Sequence, residues 1–218
     1  MSRVAFRQIV PLLVQVLVAL VSVLALSGVA WAQTLSVEET EELVRATYFE
    51  GMPEEAATRI GPDGAQRLVE MLADPAERSS HGQIMLALGL CGSPAAMAAI
   101  EDWIRQPRAS EIDRDTFRAW QAVPFALGHL ARSDPRALLR LERWMNDAAP
   151  EWSFHRYRGA RLRRLARDAA ATSLAETGLP EAGRMLDRAG RTASDAHFKA
   201  HLREMRALYA VRAREGAR

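Results

Sequence analysis

The chain has 218 residues, 29 basic against 27 acidic side chains, and one cysteine, Cys91. A single cysteine excludes an internal disulfide framework, so any folded part depends on a packed core. The first 32 residues hold Arg3 and Arg7 and no acid, which leaves 27 charges of each sign beyond them. The pI near 9.1 is therefore no pointer to nucleic acid, which is not expected as a partner.

Residues 1–32 read as a secretory signal peptide: a basic start, an apolar run from Ile9, and the ending Ala30-Trp31-Ala32, with cleavage expected before Gln33. No adjacent Arg pair is present, which favours the general secretory route, and no cysteine stands at the cleavage point to carry a lipid. The competing reading is an uncleaved anchor, because Ile9 to Ala30 is long enough to span a bilayer. The expected location is the periplasm or the extracellular medium. The alternative is the inner membrane, with this segment as the only membrane contact.

Residues 33–218 read as one all-α domain. Residues 33–75 form an N-terminal cap, opened by the capping box Ser36 with Glu39, whose neighbours Glu38, Glu41 and Glu42 suit the positive end of a helix. Val37, Val44 and Tyr48, with Leu43 and Thr47, are the expected inward face. Short helices are expected over 53–60 and 64–73, separated by Gly61-Pro62-Asp63.

Residues 76–190 contain three helical hairpins. Ala87-Leu88-Gly89 returns as Ala126-Leu127-Gly128, and Pro94 and Trp103 return 41 residues on as Pro135 and Trp144. A third copy places Pro180 a further 45 residues along. Each copy is a small, apolar helix, a turn, a Pro expected at the first position of a second helix, and an apolar stripe at three- and four-residue steps. A period near 40 is that of helical solenoids, whose units must stack to bury their faces. Gly89 and Gly128 lie inside helices, where close helix contact would offset their poor propensity.

The phrases LALGLCGSPAAM, FALGHLARSDPRALL and ARDAAATSLAETGLPEA resemble the HEAT-like branch of the armadillo-type superhelices, over roughly residues 64–189. Pro124, within a helix expected over 115–131, is similar to the proline often found in that family's first helix. The resemblance implies a right-handed α-α superhelix serving as a scaffold for binding. Two long loops, around 106–114 and 146–157, depart from a regular array. The second hairpin is expected to bury Phe117, Trp120, Val123, Leu127 and Leu130 against Leu138, Leu141 and Met145. A final helix over 194–214, the core of a C-terminal capping segment 191–218, turns Phe198, Leu202, Met205 and Tyr209 inward.

The stretch from Trp152 to Arg167 carries the recognition chemistry. Trp152, Arg156, Tyr157, Arg158, Arg161, Arg164 and Arg167 interleave aromatic rings with guanidinium groups, and both types are favoured at binding hot spots. On a helix beginning near Arg158, Arg161, Arg164 and Arg167 stand at three-residue steps and could present several forks to carboxylate or phosphate. The plainer reading is that the rings plug a gap between hairpins and the arginines pair with acids. The charge distribution keeps the recognition reading: residues 33–151 hold 12 basic and 20 acidic side chains, residues 152–218 hold 15 and 7. Such a molecule could attract an anionic partner or associate head to tail.

His197, His201 and Glu204 share a flank of the last helix, a spacing able to hold a metal but lacking an assured third ligand. Cys91 and His129 read as core or groove-edge residues. The sequence offers no phosphate-binding Gly loop, nucleophile elbow or paired-cysteine site, so no cofactor is expected. The sequence thus points to a non-catalytic interaction scaffold of the bacterial cell envelope, binding a protein or anionic component. The alternatives are a metal-dependent envelope enzyme using His197 and His201, and a self-associating structural module.

Overall fold

The computed structural model describes residues 34–49 and 51–216. The expected signal segment and its cleavage point lie outside the described residues. Among the described residues the protein is all-helical, with strand pairing limited to isolated bridges.

Helix α1 (Val37–Arg45) starts on the capping box read from the sequence: Ser36 Oγ accepts the Glu39 N–H at 3.1 Å and the Glu39 carboxylate accepts the Ser36 N–H at 2.7 Å. Its inward face differs from expectation. Val44 is buried and Val37, Leu43 and Tyr48 are half-buried, but Thr47 is exposed because the helix stops at Arg45. Thr40 is buried instead, its hydroxyl donating to the Ser36 carbonyl at 2.8 Å, so the buried polar group is satisfied.

Helix α2 (Glu54–Ala57) is a single turn, shorter than the expected 53–60. The chain leaves the helix at Thr58 so that the Arg59 carbonyl can accept the Leu35 N–H at 3.0 Å, tying the start of the fold down through a parallel Leu35–Ile60 bridge. Helix α3 (Pro62–Ala73) has Pro at its opening position, where a missing N–H is harmless. A 3-10 helix comes next (Pro75–Ser80), capped by the Asp74 carboxylate on the Ala76 N–H at 2.8 Å.

The hairpins are α4 (His81–Cys91) with α5 (Ala96–Arg105), α6 (Arg114–Leu130) with α7 (Arg136–Asn146), and α8 (Ala160–Thr177) with α9 (Pro180–Thr192); α10 (Ala196–Glu215) closes the domain. Helix α4 is apolar nearly all round, with Ile84, Met85, Ala87 and Leu88 buried, and a helix of that kind belongs inside. Pro180 occupies the first position of α9 as expected. Pro94 and Pro135 instead fall just before α5 and α7. There the Ser93 and Asp134 carbonyls accept from Ala96 and Ala137 at 3.0 and 3.1 Å, so a tight opening turn precedes α-helical bonding and the prolines sit within it.

Helices α4, α6, α8 and α10 pack successively in one row. Each second helix touches the first helix of its own hairpin and that of the next element, as α5 does α4 and α6, α7 does α6 and α8, and α9 does α8 and α10. Gly89 permits the α4–α6 approach, since a Cβ there would lie 2.9 Å from the Ala126 Cα; at Gly128 a Cβ would lie 3.2 Å from the Ser173 Cβ of α8. Every residue expected to fill the second hairpin, from Phe117 to Met145, is buried. Phe198 and Leu202 of α10 are buried, while Met205 and Tyr209 are half-buried.

A charged ladder joins each second helix to a helix later in the chain. Seven residues after each of Pro94, Pro135 and Pro180 stands an acid: Glu101, Glu142 and Asp187. Glu101 meets Arg140 at 3.0 Å, Glu142 meets Arg188 at 2.6 Å, and Asp187 meets Arg206 at 2.7 Å. The Arg140 contact lacks the alignment of a hydrogen bond and is an ion pair only. The acid seven residues after each of the three prolines therefore pairs with an arginine of a later helix.

Candidate partner-binding surface

The long loops 106–113 and 147–159 are clipped to each other. The Ile112 N–H donates to the Ser153 carbonyl at 2.9 Å and the Ser153 N–H to the Ser110 carbonyl at 2.8 Å, with the Ser153 hydroxyl adding a bond to the same Ser110 oxygen at 3.1 Å. The second loop then seats its rings on α6. Phe154 stacks on Phe117 with centroids 4.3 Å apart, Trp152 meets Trp120 edge-on at 5.1 Å, and Tyr157 lies 5.5 Å from Phe117. Offset and edge contacts of this kind are favourable beyond the area they cover. Trp152 and Tyr157 are thus half-buried supports of the loop, the arrangement of the plainer reading in which the rings plug a gap.

A tight turn at His155, with φ of +48°, and Gly159, with φ of +49°, leads the chain into α8, which starts at Ala160, close to the start expected near Arg158. Arg156, Arg158, Arg161, Arg163 and Arg164 are all exposed around this start. No ion pair of the described residues involves any of the five. Arg161 lies over the Tyr157 ring, 4.4 Å from its centroid, which holds its guanidinium near the helix end. The helix begins without a side-chain cap and has no acid in its first turn. Positive side chains therefore crowd the positive end of an 18-residue helix, the reverse of the arrangement that favours stability.

Arg167 does not stand with them. Its guanidinium lies 3.9 Å from the Phe198 ring centroid and donates to Asp195 at 2.8 Å. Asp195 also caps α10 by accepting the His197 and Phe198 N–H groups at 2.8 and 3.2 Å. The Arg167 hydrogen bond, with these amide bonds, holds the Asp195 carboxyl down at about 2. Arg167 is consumed in joining α8 to α10, because the third member of the three-residue series turns inward. Arg163, which the spacing argument passed over, takes its place on the exposed end.

His197, His201 and Glu204 do not converge. His201 Nε2 lies 3.0 Å from the Asp168 carbonyl oxygen, which can only accept, so that nitrogen carries the proton. His197 Nδ1 faces the Asp168 carboxylate at 4.0 Å, and Glu204 is exposed. Among the described residues no group of three or more His, Cys, Asp or Glu is placed to hold a metal ion. Cys91 is half-buried with its thiol directed at the Leu88 carbonyl, and burial raises its pKa above the usual thiol value. Burial likewise holds half-buried His129 below the ordinary imidazole range, against an opposing influence from Glu54.

A cavity of about 280 Å³ opens between the first clipped loop and the 3-10 helix, lined by His81, Trp103, Arg108, Arg78 and Asp113 among others. Its arginines are already engaged. Arg108 lies over the Trp103 ring at 4.2 Å and donates to the carbonyls of Trp103, Ile104 and Gln106 at 2.7, 3.0 and 2.9 Å. Arg78 pairs with Asp113 at 3.0 Å. This cleft is a braced junction with little polar capacity to offer a ligand. No helix of the described residues is long and apolar enough to cross a membrane. No protein-family model matches the chain, and no curated protein or solved structure matches it either.

Proposed function

We propose that this protein is a non-catalytic interaction scaffold of the bacterial cell envelope, a HEAT-like right-handed superhelix exported by its N-terminal signal segment. It engages an acidic protein segment or other anionic envelope component through the arginine-rich start of α8. The observation that carries this reading is the group of exposed guanidiniums, Arg156, Arg158, Arg161, Arg163 and Arg164, gathered without carboxylate partners at an uncapped helix start. Like charges held together at the positive end of a helix are unfavourable in the free protein and are relieved when an anion docks. The aromatic plug gives the patch a fixed base, so less is lost in ordering it on binding.

The test is a pull-down from envelope extract with the secreted form of the chain, wild type against Arg161→Glu/Arg164→Glu, with bound material identified by mass spectrometry. A partner retained by wild type and lost by the variant, at unchanged helical content, supports the reading. Equal retention by both proteins, or none by either, removes it.

A further inference from the structure

Helices α9 and α10 enclose a second cavity, of about 330 Å³, lined by Asp187, Gly190, Arg191, Lys199, Leu202, Arg203 and Arg206. Lys199, Arg203 and Arg206 succeed one another at helical steps on α10, opposite Asp187 and Arg191 of α9. Asp187 is the only acid in the lining, and it is taken by Arg206 at 2.7 Å. Arg191, Lys199 and Arg203 are exposed, and none forms an ion pair among the described residues. Four cations against one acid leave a surplus of three positive charges around one small cavity.

The glycines give an independent sign. Glycine is among the poorest residues for a helix interior, and Gly89, Gly128 and Gly183 each permit a close approach in return. At Gly183 a Cβ would lie 2.6 Å from the Tyr209 ring. Gly190 is different: a Cβ there would meet nothing within 4 Å, yet the residue lines the cavity. No packing contact explains it, and its effect is to leave that part of the cavity wall open. Buried Leu202 supplies an apolar side to the same space.

We infer that this α9–α10 cleft binds a compact phosphate-bearing anion, held by Arg191, Lys199 and Arg203. A single carboxylate answers one cation of the surplus, whereas a phosphate monoester or diphosphate carries two or more negative charges and enough acceptor oxygens for two guanidinium forks and an ammonium. The phosphate is carried either by a soluble ligand or by a lipid headgroup, and the chemistry of recognition is the same. The site is separate from the arginine-rich start of α8 and does not depend on its role.

The experiment has two arms. Inorganic pyrophosphate is titrated calorimetrically at constant ionic strength, and cosedimentation is measured with vesicles of phosphatidic acid, whose headgroup is a phosphate monoester, in phosphatidylcholine against phosphatidylcholine alone. Saturable pyrophosphate binding weakened at least tenfold in Lys199→Glu/Arg203→Glu, and in Gly190→Trp, which fills the cleft without altering charge, assigns the site to soluble phosphates. Vesicle binding with the same two losses assigns it to headgroups. In either case Arg161→Glu/Arg164→Glu is expected to bind the probe as wild type does, which separates this site from the α8 patch. Binding in neither arm, or binding that survives both cleft variants, overturns the inference.

Discussion

The Trp103 indole N–H donates to Nδ1 of His81 at 3.1 Å, while Nε2 of the same ring lies 3.1 Å from the Asp74 carbonyl oxygen. A carbonyl and an N–H on opposite sides of one imidazole admit a single neutral tautomer, with the proton on Nε2. Through it α5 is joined to the start of α4 and to the end of α3, beneath the loop that carries Arg108. The ring is buried, so this linkage is protected from water.

Acid is expected to loosen that junction. Burial is the main cause holding His81 below its ordinary imidazole value, opposed by the carbonyl bond to Asp74, and a proton on Nδ1 would also displace the Trp103 donor. With the folded pKa below the unfolded one, the unfolded chain binds more protons as pH falls. Stability is then full above the unfolded value of about 6.5 and is lost as pH drops through the folded pKa. Urea midpoints should fall from pH 7.5 to pH 5 in wild type and fall less in His81→Gln. A parallel decline in both proteins would assign the acid sensitivity elsewhere, with half-buried His129 the next group to vary.

Leu127→Ala should be among the most destabilising single changes. The side chain is fully buried in α6, in the middle of the row of first helices, and neighbours on both sides limit collapse into the space left. The expected loss is about 2–5 kcal/mol, read from equilibrium urea unfolding. A loss within the surface range of about 0.5 kcal/mol would mean that α6 is not central to the core.

The core was legible in the sequence because hairpin packing obeys spacing that a sequence displays. Leu127, Trp120 and Leu141 fall on the helical stripe, and Gly89 and Gly128 repeat with it. The clip between Ser110, Ile112 and Ser153 was not legible, since it joins backbone groups of two irregular segments with no periodicity. The turn that precedes α8 was not legible for a related reason: positive φ at His155 is uncommon for a residue with a side chain, and the Phe154–Tyr157 turn depends on it. At the candidate surface the residue types were readable but their directions were not. Three-residue spacing puts Arg161, Arg164 and Arg167 on one flank, yet Asp195, far along the chain, draws Arg167 away. The cluster of Arg191, Lys199 and Arg203 was invisible for the same reason, being split between two helices.

Two helix glycines should respond in opposite directions to the same substitution. In Gly89→Ala the new Cβ meets the backbone of Ala126, which cannot rotate aside, so overpacking of about 1–3 kcal/mol outweighs the gain in helix propensity. Gly190→Ala meets open space and should gain up to about 1 kcal/mol. Thermal unfolding of the two variants beside wild type checks the pair. A stabilised Gly89→Ala would show that α4 and α6 are not in backbone contact.

Charge reversal at the start of α8 should leave the free protein as stable as wild type or more so. Arg161 lies in the first turn of the helix and Arg164 one turn on, both exposed and neither in an ion pair among the described residues. Replacing each by Glu removes like-charge crowding and places carboxylates toward the positive helix end, an effect of about 0.3–1 kcal/mol at low salt that fades as ionic strength rises. Melting curves of Arg161→Glu/Arg164→Glu and wild type at low and high sodium chloride, without any partner, read this directly. A midpoint raised at low salt and converging at high salt would mean that the native arginines are kept at the expense of stability, as residues retained for binding commonly are. A lower midpoint at both salts would mean that they support the fold, and the α8 surface would then lose its claim to recognition.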